Sequence, residues 1–150
     1  MLAATFVGEP AVIILVSAVV AVIAWLKDRR AIAYAQAAAI AGFGFNTLLK
    51  HVIHRGRPST MYAAHMRIHS YSFPSGHAFG SVAFYGLWAY LLYKYLPAPW
   101  NLICLGLFIV LILLIGVSRV YLGAHYPSDV LAGWGIGLVV LFLIIKFIRP

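Results

Sequence analysis

Long apolar runs alternate with short polar breaks along this chain, at a spacing that predicts helices crossing a membrane. Residues 10–26 form the first run, which stops at Lys27-Asp-Arg-Arg30. Residues 31–49 follow, rich in Ala and Gly; after a polar stretch at 50–75 come runs at 77–96, 102–117 and 130–148. Pro97-Ala-Pro99 separates the third run from the fourth, and Tyr126-Pro-Ser-Asp129 opens the fifth. About 20 apolar residues suffice to cross the hydrocarbon layer as a helix. Backbone groups in lipid must be satisfied internally, which uninterrupted runs achieve as helices rather than as barrel strands. The expected fold is all-α: a polytopic transmembrane helical bundle of about five spans, one membrane-embedded domain over residues 1–150. In the second run, Ala37, Ala41, Gly42 and Gly44 are expected to be close-packing surface between helices.

Composition agrees with this pattern. Hydrophobic residues make up 64% of the chain and charged residues only 9%, against about 25% charged in soluble domains. The mean hydropathy is +0.97. A net charge of +8 would suggest nucleic acid in a soluble protein, but here the basic residues stand at the ends of apolar runs. Lys27, Arg29, Arg30, Lys94, Lys146 and Arg149 fall on one side, which the positive-inside rule makes cytoplasmic. The N-terminus and the polar stretches 50–75 and 118–129 are then expected to face outward. Two runs separate those stretches, so they emerge on the same face and can build one site. The lone Cys104 reads as a small packed hydrophobe and allows no internal disulfide. No short leader with a cleavage pattern precedes the first run, which is expected to insert as an anchor.

Three polar clusters carry the candidate chemistry. Tyr71-Ser-Phe-Pro-Ser-Gly-His77 directly precedes an apolar run, as a helix start does. Such a start leaves backbone N–H groups unpaired, carries partial positive charge and suits an anion, phosphate above all. Ser75 is a natural N-cap, Gly76 leaves the backbone approachable, and His77 is placed to protonate a leaving oxygen. In Lys50-His-Val-Ile-His-Arg-Gly-Arg57-Pro58, a helix continuing to Pro58 would put Lys50, His54 and Arg57 on one face. Arg and Lys together suit a dianionic group, although a basic belt for lipid headgroups has the same composition. In the third cluster, Ser118-Arg119 leads to His125 and Asp129, four residues apart. A carboxylate at that spacing fixes the tautomer of the imidazole and frees its other nitrogen as nucleophile or base, while the blander role for Asp129 is a helix cap. Six histidines raise the question of a metal. No His-Glu-x-x-His is present, and Glu9 and Asp28 are expected away from the clusters, so Arg, Lys and backbone donors would stabilise a phosphoryl group instead. His51, His54, His65 and His69 receive no role.

Lys50-x6-Arg57-Pro58, Pro74-Ser-Gly-His77 and Ser118-Arg119-x5-His125-x3-Asp129 together resemble, in order and residue for residue, the three signature motifs of the type 2 phosphatidic acid phosphatase superfamily. Tyr121-Leu-Gly and Asp129-Val-Leu-Ala-Gly133 also look like its bacterial membrane branch. The resemblance implies that His125 attacks phosphorus to give a phosphohistidine, that Asp129 orients it, and that His77 protonates the departing group. Lys50, Arg57, Ser75, Gly76 and Arg119 would hold the phosphoryl oxygens, with no metal or other cofactor. The implied function is a lipid phosphate phosphatase of the bacterial plasma membrane, its site facing the periplasm or cell exterior. Undecaprenyl pyrophosphate is the favoured substrate, and phosphatidylglycerophosphate, phosphatidic acid and lipid A phosphates are the alternatives. Selectivity is expected from residues 59–73. A catalytically silent lipid-phosphate binder or transporter is the reading from another class; the presence of His77, His125 and Asp129 speaks against it. Many bacterial relatives have six spans, and Thr5-Phe-Val-Gly-Glu-Pro10 resembles the approach to what is usually their second. Oligomeric state is not legible.

Overall fold

The structure, a computed structural model, describes residues 1–60 and 70–148. His65 and His69, to which no role was assigned, Arg149, counted above among the basic residues, and most of the 59–73 selectivity segment lie outside them. Every element among the described residues is helical: α1 (Leu2–Val7), α2 (Pro10–Leu26), α3 (Arg30–Ile53), α4 (Gly76–Gly80), a π turn (Ser81–Tyr85), α5 (Gly86–Tyr95), α6 (Trp100–Tyr121) and α7 (Pro127–Ile148). The short α4, the π turn and α5 follow one another without a break and correspond to the run at 77–96. Three helices, α3, α6 and α7, are long and apolar enough to cross a membrane by length and composition, and α2 is a shorter apolar helix of 17 residues. The helices are antiparallel neighbours, so Lys27, Arg29, Arg30, Lys94 and Lys146 gather at the end opposite the polar clusters.

The core is built where α2, α3, α4, the π turn and α7 meet. Ile13, Phe43, Phe79, Ala83 and Phe84 form one buried cluster, in which the Phe43 and Phe79 rings meet edge to face at 5.2 Å. Ala35, Ala39, Leu87, Leu91 and Ile144 form a second. Outside this seam the helices stay apolar: only 17% of the most hydropathic window of α6, and the same share of α7, is buried inside the protein. Leu102, Leu107, Val110, Leu138, Val139 and Phe142 are exposed. Greasy faces turned outward on this scale suit a lipid solvent and no aqueous one.

Small residues set the closest approaches, though not all of the expected ones do. Gly42 is buried against Phe79, whereas Ala37, Ala41 and Gly44 are exposed; Ala35 and Ala39, on the neighbouring stripe, do the packing. At the glycines, the closest approach of backbone to backbone lies between α7 and the start of α4. A Cβ on Gly133 would come within 2.6 Å of the Ser75 carbonyl oxygen and 3.1 Å of the Phe79 nitrogen. The backbone of α7 therefore lies against the Pro74-Ser-Gly-His77 segment, and Ser75 N–H donates to the Asp129 carbonyl at 3.0 Å.

One expected helix is shorter than its pattern. α3 ends at Ile53, not at Pro58, because His54 adopts a left-handed conformation (φ 52°) and closes the helix with an N–H bond to the Lys50 carbonyl. The His51 and His54 rings pack edge-on against Tyr71. Lys50, His54 and Arg57 thus do not share a helical face; Arg57 lies on the irregular segment beyond the helix. In the opposite direction, α6 runs on to Tyr121, so Arg119 sits in its last turn rather than in a loop.

Candidate active site

Each polar cluster ends up at the same end of the bundle for a local reason. α4 starts at Gly76 because Ser75 caps it, its hydroxyl accepting from Ala78 N–H at 3.4 Å, and this places His77 in the first turn. Beyond α6 the chain reverses through Gly123, whose φ of +67° suits a residue without a side chain. Thr60 covers this turn and donates to the Gly123 carbonyl at 3.0 Å. His125 follows, and α7 begins at Pro127.

Asp129 is fully buried, with its carboxylate surrounded by donors. Oδ2 accepts from the Ser72 hydroxyl and, at 2.9 Å, from Tyr126 N–H. Oδ1 accepts from Arg55 Nη1 at 2.7 Å, and the same Nη1 donates to Ser128 Oγ at 2.7 Å. The Arg55 guanidinium lies over the Tyr126 ring, 4.3 Å from its centroid. The capping role is therefore real, since Asp129 reaches back to the backbone N–H before its own helix, as a capping-box carboxylate does. It is not the only role. His125 Nδ1 stands 3.5 Å from Asp129 Oδ2 and 3.4 Å from Ser72 Oγ.

The other ring nitrogen of His125 faces Arg57, whose Nη1 lies 3.2 Å from Nε2. Arg57 also donates to the carbonyls of Ala124 and Ser70, both at 2.8 Å, and to the Ser70 hydroxyl at 2.9 Å, tying the chain after α3 to the turn before α7. Burial and the cations Arg57, Lys50 and Arg119 push the His125 imidazole down from 6.5 to about 2, so the ring is neutral at any ordinary pH. Burial also lowers Arg57. Lys50 lines the cavity and also ties down the loop ahead of α4, donating to the carbonyls of Tyr71 at 2.9 Å and Pro74 at 2.7 Å. Arg119 is buried, and its Nη1 lies 3.4 Å from the Thr5 hydroxyl of α1, which is bonded to Ser118 Oγ at 2.9 Å.

These groups surround a cavity of about 450 Å³ lined by Lys50, Arg57, Gly76, His77, Arg119 and His125 among others. Six of the eight residues singled out in the sequence line this one space; of the other two, Ser75 adjoins it through Gly76 and Asp129 stands behind His125. Ser75 is buried as the cap of the helix that Gly76 begins. Glu9 corrects an expectation. It is not remote from the clusters: it lines the same cavity, with Oε2 3.0 Å from His77 Nε2. Contact with His77 holds its carboxyl below the usual range. Arg55, Ser72 and Thr5 were also missed. Arg55 stood in plain view between His54 and Gly56, but no spacing rule pairs it with a carboxylate seventy-odd residues away; for Ser72 and Thr5 the sequence held no signal.

The residue pattern and this geometry meet in the family comparison. A match to the PAP2 superfamily covers residues 13–150. The chain belongs to the PAP2 superfamily. It is 40% identical over 107 residues to phosphatidylglycerophosphatase B of Bacillus subtilis, covering 68% of this chain and 50% of that protein. It is 32% identical over 130 residues to the undecaprenyl-diphosphatase BcrC of the same organism, covering 83% and 63%. A lipid A 1-phosphatase of Rhizobium etli is 37% identical over 100 residues, covering 60% and 38%. The chain thus spans roughly half to two thirds of the first two relatives. The crystal structure of a transmembrane PAP2-type phosphatidylglycerolphosphate phosphatase from Bacillus subtilis superposes with a TM-score of 0.83 at 29% identity, over 97% of this chain and 73% of the other.

Proposed function

We propose that the chain is an integral-membrane lipid phosphate phosphatase of about five spans that works through a phosphohistidine at its outward-facing end. The observation that carries this is the cavity itself: two histidines, His77 and His125, face a space bordered by Lys50, Arg57 and Arg119. The positive charge around this space is that of Lys50, Arg57 and Arg119, which line it.

In this mechanism, His125 Nε2 attacks phosphorus as Arg57 shifts its donors from the ring to the phosphoryl oxygens. The neutral imidazole keeps a lone pair for the purpose. Asp129, on the Nδ1 side, stabilises the positive charge that the ring gains on bonding to phosphorus. Lys50, Arg119, Ser75 and the unhindered backbone at Gly76 hold the oxygens as negative charge builds on them. The P–O bond to the leaving group breaks, and His77 delivers its proton to the departing oxygen. Water then attacks phosphorus, giving a proton to His77 as the new P–O bond forms; the P–N bond breaks with its electron pair returning to His125 Nε2, and phosphate leaves with both histidines restored.

The positive-inside rule turns the end carrying Lys27, Arg29, Arg30, Lys94 and Lys146 to the cytoplasm and the cavity to the periplasm or exterior. Among lipid classes, an undecaprenyl pyrophosphate is the first to test, because BcrC aligns over the longest stretch of the three relatives named above. The experiment is phosphate release by purified protein in detergent with EDTA, across undecaprenyl pyrophosphate, phosphatidylglycerophosphate, phosphatidic acid and lipid A phosphate at equal surface concentration. Release from at least one of them, abolished in His125→Ala, is expected. Full activity in that variant would remove the nucleophile, and activity restored only by zinc would replace the mechanism with a metal-dependent one.

A further inference from the structure

Only three acidic residues occur in the chain, Glu9, Asp28 and Asp129, and two of them stand against the two histidines of the cavity. Asp129 lies on the Nδ1 side of His125, and Glu9 Oε2 lies 3.0 Å from His77 Nε2. A carboxylate lining a space built for an anion repels the very group the space is meant to hold, so its presence needs a reason. Helix capping does not supply one. Glu9 is the N-cap residue of α2, yet its side chain makes no cap hydrogen bond and turns toward His77 instead.

His77 supplies the reason. Its surroundings otherwise hold three cations, Arg119 from α6, Arg57 from the segment after α3 and Lys50 from α3, which border the same space as the neutral His125 ring, while Asp129 is turned to Arg55, Ser72 and Tyr126 N–H. An imidazolium that must hold a proton until the leaving oxygen needs it gains nothing from those neighbours. Among the described residues, Glu9 is the one carboxylate in contact with it. The Glu9 side chain is 46% exposed and that of His77 10%, so the carboxylate keeps partial hydration while facing the buried ring.

We propose that Glu9 is the positioning residue of His77: it orients the ring and supplies the counter-charge that keeps its proton available for the departing group, as Asp129 does for His125 in the attack. The site then holds two histidine–carboxylate pairs, one for each half of the displacement. This rests on the role of His77 as the acid, and the test separates the two.

The full chain in detergent is assayed on a lipid alkyl phosphate, whose alkoxide needs a proton to leave, and on p-nitrophenyl phosphate, whose phenolate does not. Glu9→Gln is expected to lower kcat on the alkyl phosphate about tenfold, to change the aryl ester little, and to move the alkaline limb of the alkyl kcat profile down by about one pH unit. Glu9→Asp should fall between, and Glu9→Gln combined with His77→Ala should be no slower than His77→Ala alone. Equal loss on both esters, or additive loss in the double variant, overturns the pairing. So does a lowered KM with kcat unchanged, which would make Glu9 only a repelling gate. If Glu9→Gln does not accumulate, the contrast between the two esters is read on Glu9→Asp. Equal loss on both esters in His77→Ala itself would instead overturn the acid role of His77, a result that does not involve Glu9.

Discussion

Arg57 Nη1 lies 3.2 Å from Nε2 of His125, so the nitrogen proposed to attack phosphorus is in contact with the guanidinium proposed to bind phosphate. The same guanidinium fastens Ser70 and Ala124, so the fork both shapes the site and is positioned to serve the substrate. Arg57→Ala is expected to reduce kcat/KM by about a hundredfold or more, and Arg57→Lys should not restore it, because a point charge cannot span the same set of acceptors. Steady-state phosphate release measures both. A lysine variant at the wild-type rate would refute the fork.

Arg55 makes a different contribution. Its pair with Asp129 joins a part-exposed guanidinium to a fully buried carboxylate, at 2.7 Å. Arg55→Met leaves Asp129 with the Ser72 hydroxyl and Tyr126 N–H, which still satisfy it. A stability loss of about 1 kcal/mol, rather than the several expected for breaking a wholly buried pair, should follow. Activity should fall more visibly than stability, since the carboxylate loses one of the contacts that aim it at His125. Melting temperature and kcat on the same preparation test this; an unchanged kcat would mean that Arg55 only decorates the helix start.

Gly133 gives a packing prediction with an internal control. Gly133→Ala places a methyl 2.6 Å from a backbone oxygen, which cannot rotate away, and should cost about 1–3 kcal/mol together with much of the activity, as α7 is pushed off the segment carrying His77. Gly135→Ala, two residues on, meets nothing within 4 Å and should be neutral. Parallel thermal melts decide the matter, and equal effects at the two positions would contradict the close approach.

The depressed His125 gives a pH prediction whose sign follows from proton counting. The folded ring stays neutral down to about 2, while in the unfolded chain it titrates near its ordinary 6.5. Below that value the unfolded state binds a proton that the folded state does not, so stability is complete above about 6.5 and declines as the pH falls toward 2. The contribution of this one residue should approach about 1.4 kcal/mol per pH unit. Melting temperatures from pH 7 to 4 should therefore drop less steeply in His125→Asn than in the wild type. Parallel curves would argue against a neutral buried ring.

Much of this arrangement was legible in the chain because it depends on parity and periodicity. An even number of runs between residues 75 and 118 puts both polar stretches at one end, and a serine before an apolar run caps a helix wherever it occurs. What failed to show depends on contacts between residues far apart. α3 stops at His54 where Tyr71 and the carbonyls held by Lys50 lie against it, and nothing between residues 50 and 58 announces those partners. Glu9 read as remote because the break at Gly8 lies in an otherwise apolar stretch. Only the docking of α1 beside α6 brings that break to the cavity.

The six residues of α1 form one wall of this cavity through Leu2, Thr5 and Phe6, and both Leu2 and Phe6 are 68% exposed. Opposite them, Asp129 and Arg57 lock side chains to one another and Lys50 ties down the backbone ahead of α4. The two sides thus differ in how freely they can vary. On the proposed function, a substitution at Leu2 or Phe6 would change the shape offered to whatever hangs from the phosphate while leaving the bonds around the histidines in place. On that reading, a scaffold divided in this way would let a lineage acquire new lipid preferences through a few apolar replacements while the proposed hydrolytic chemistry stays as it was.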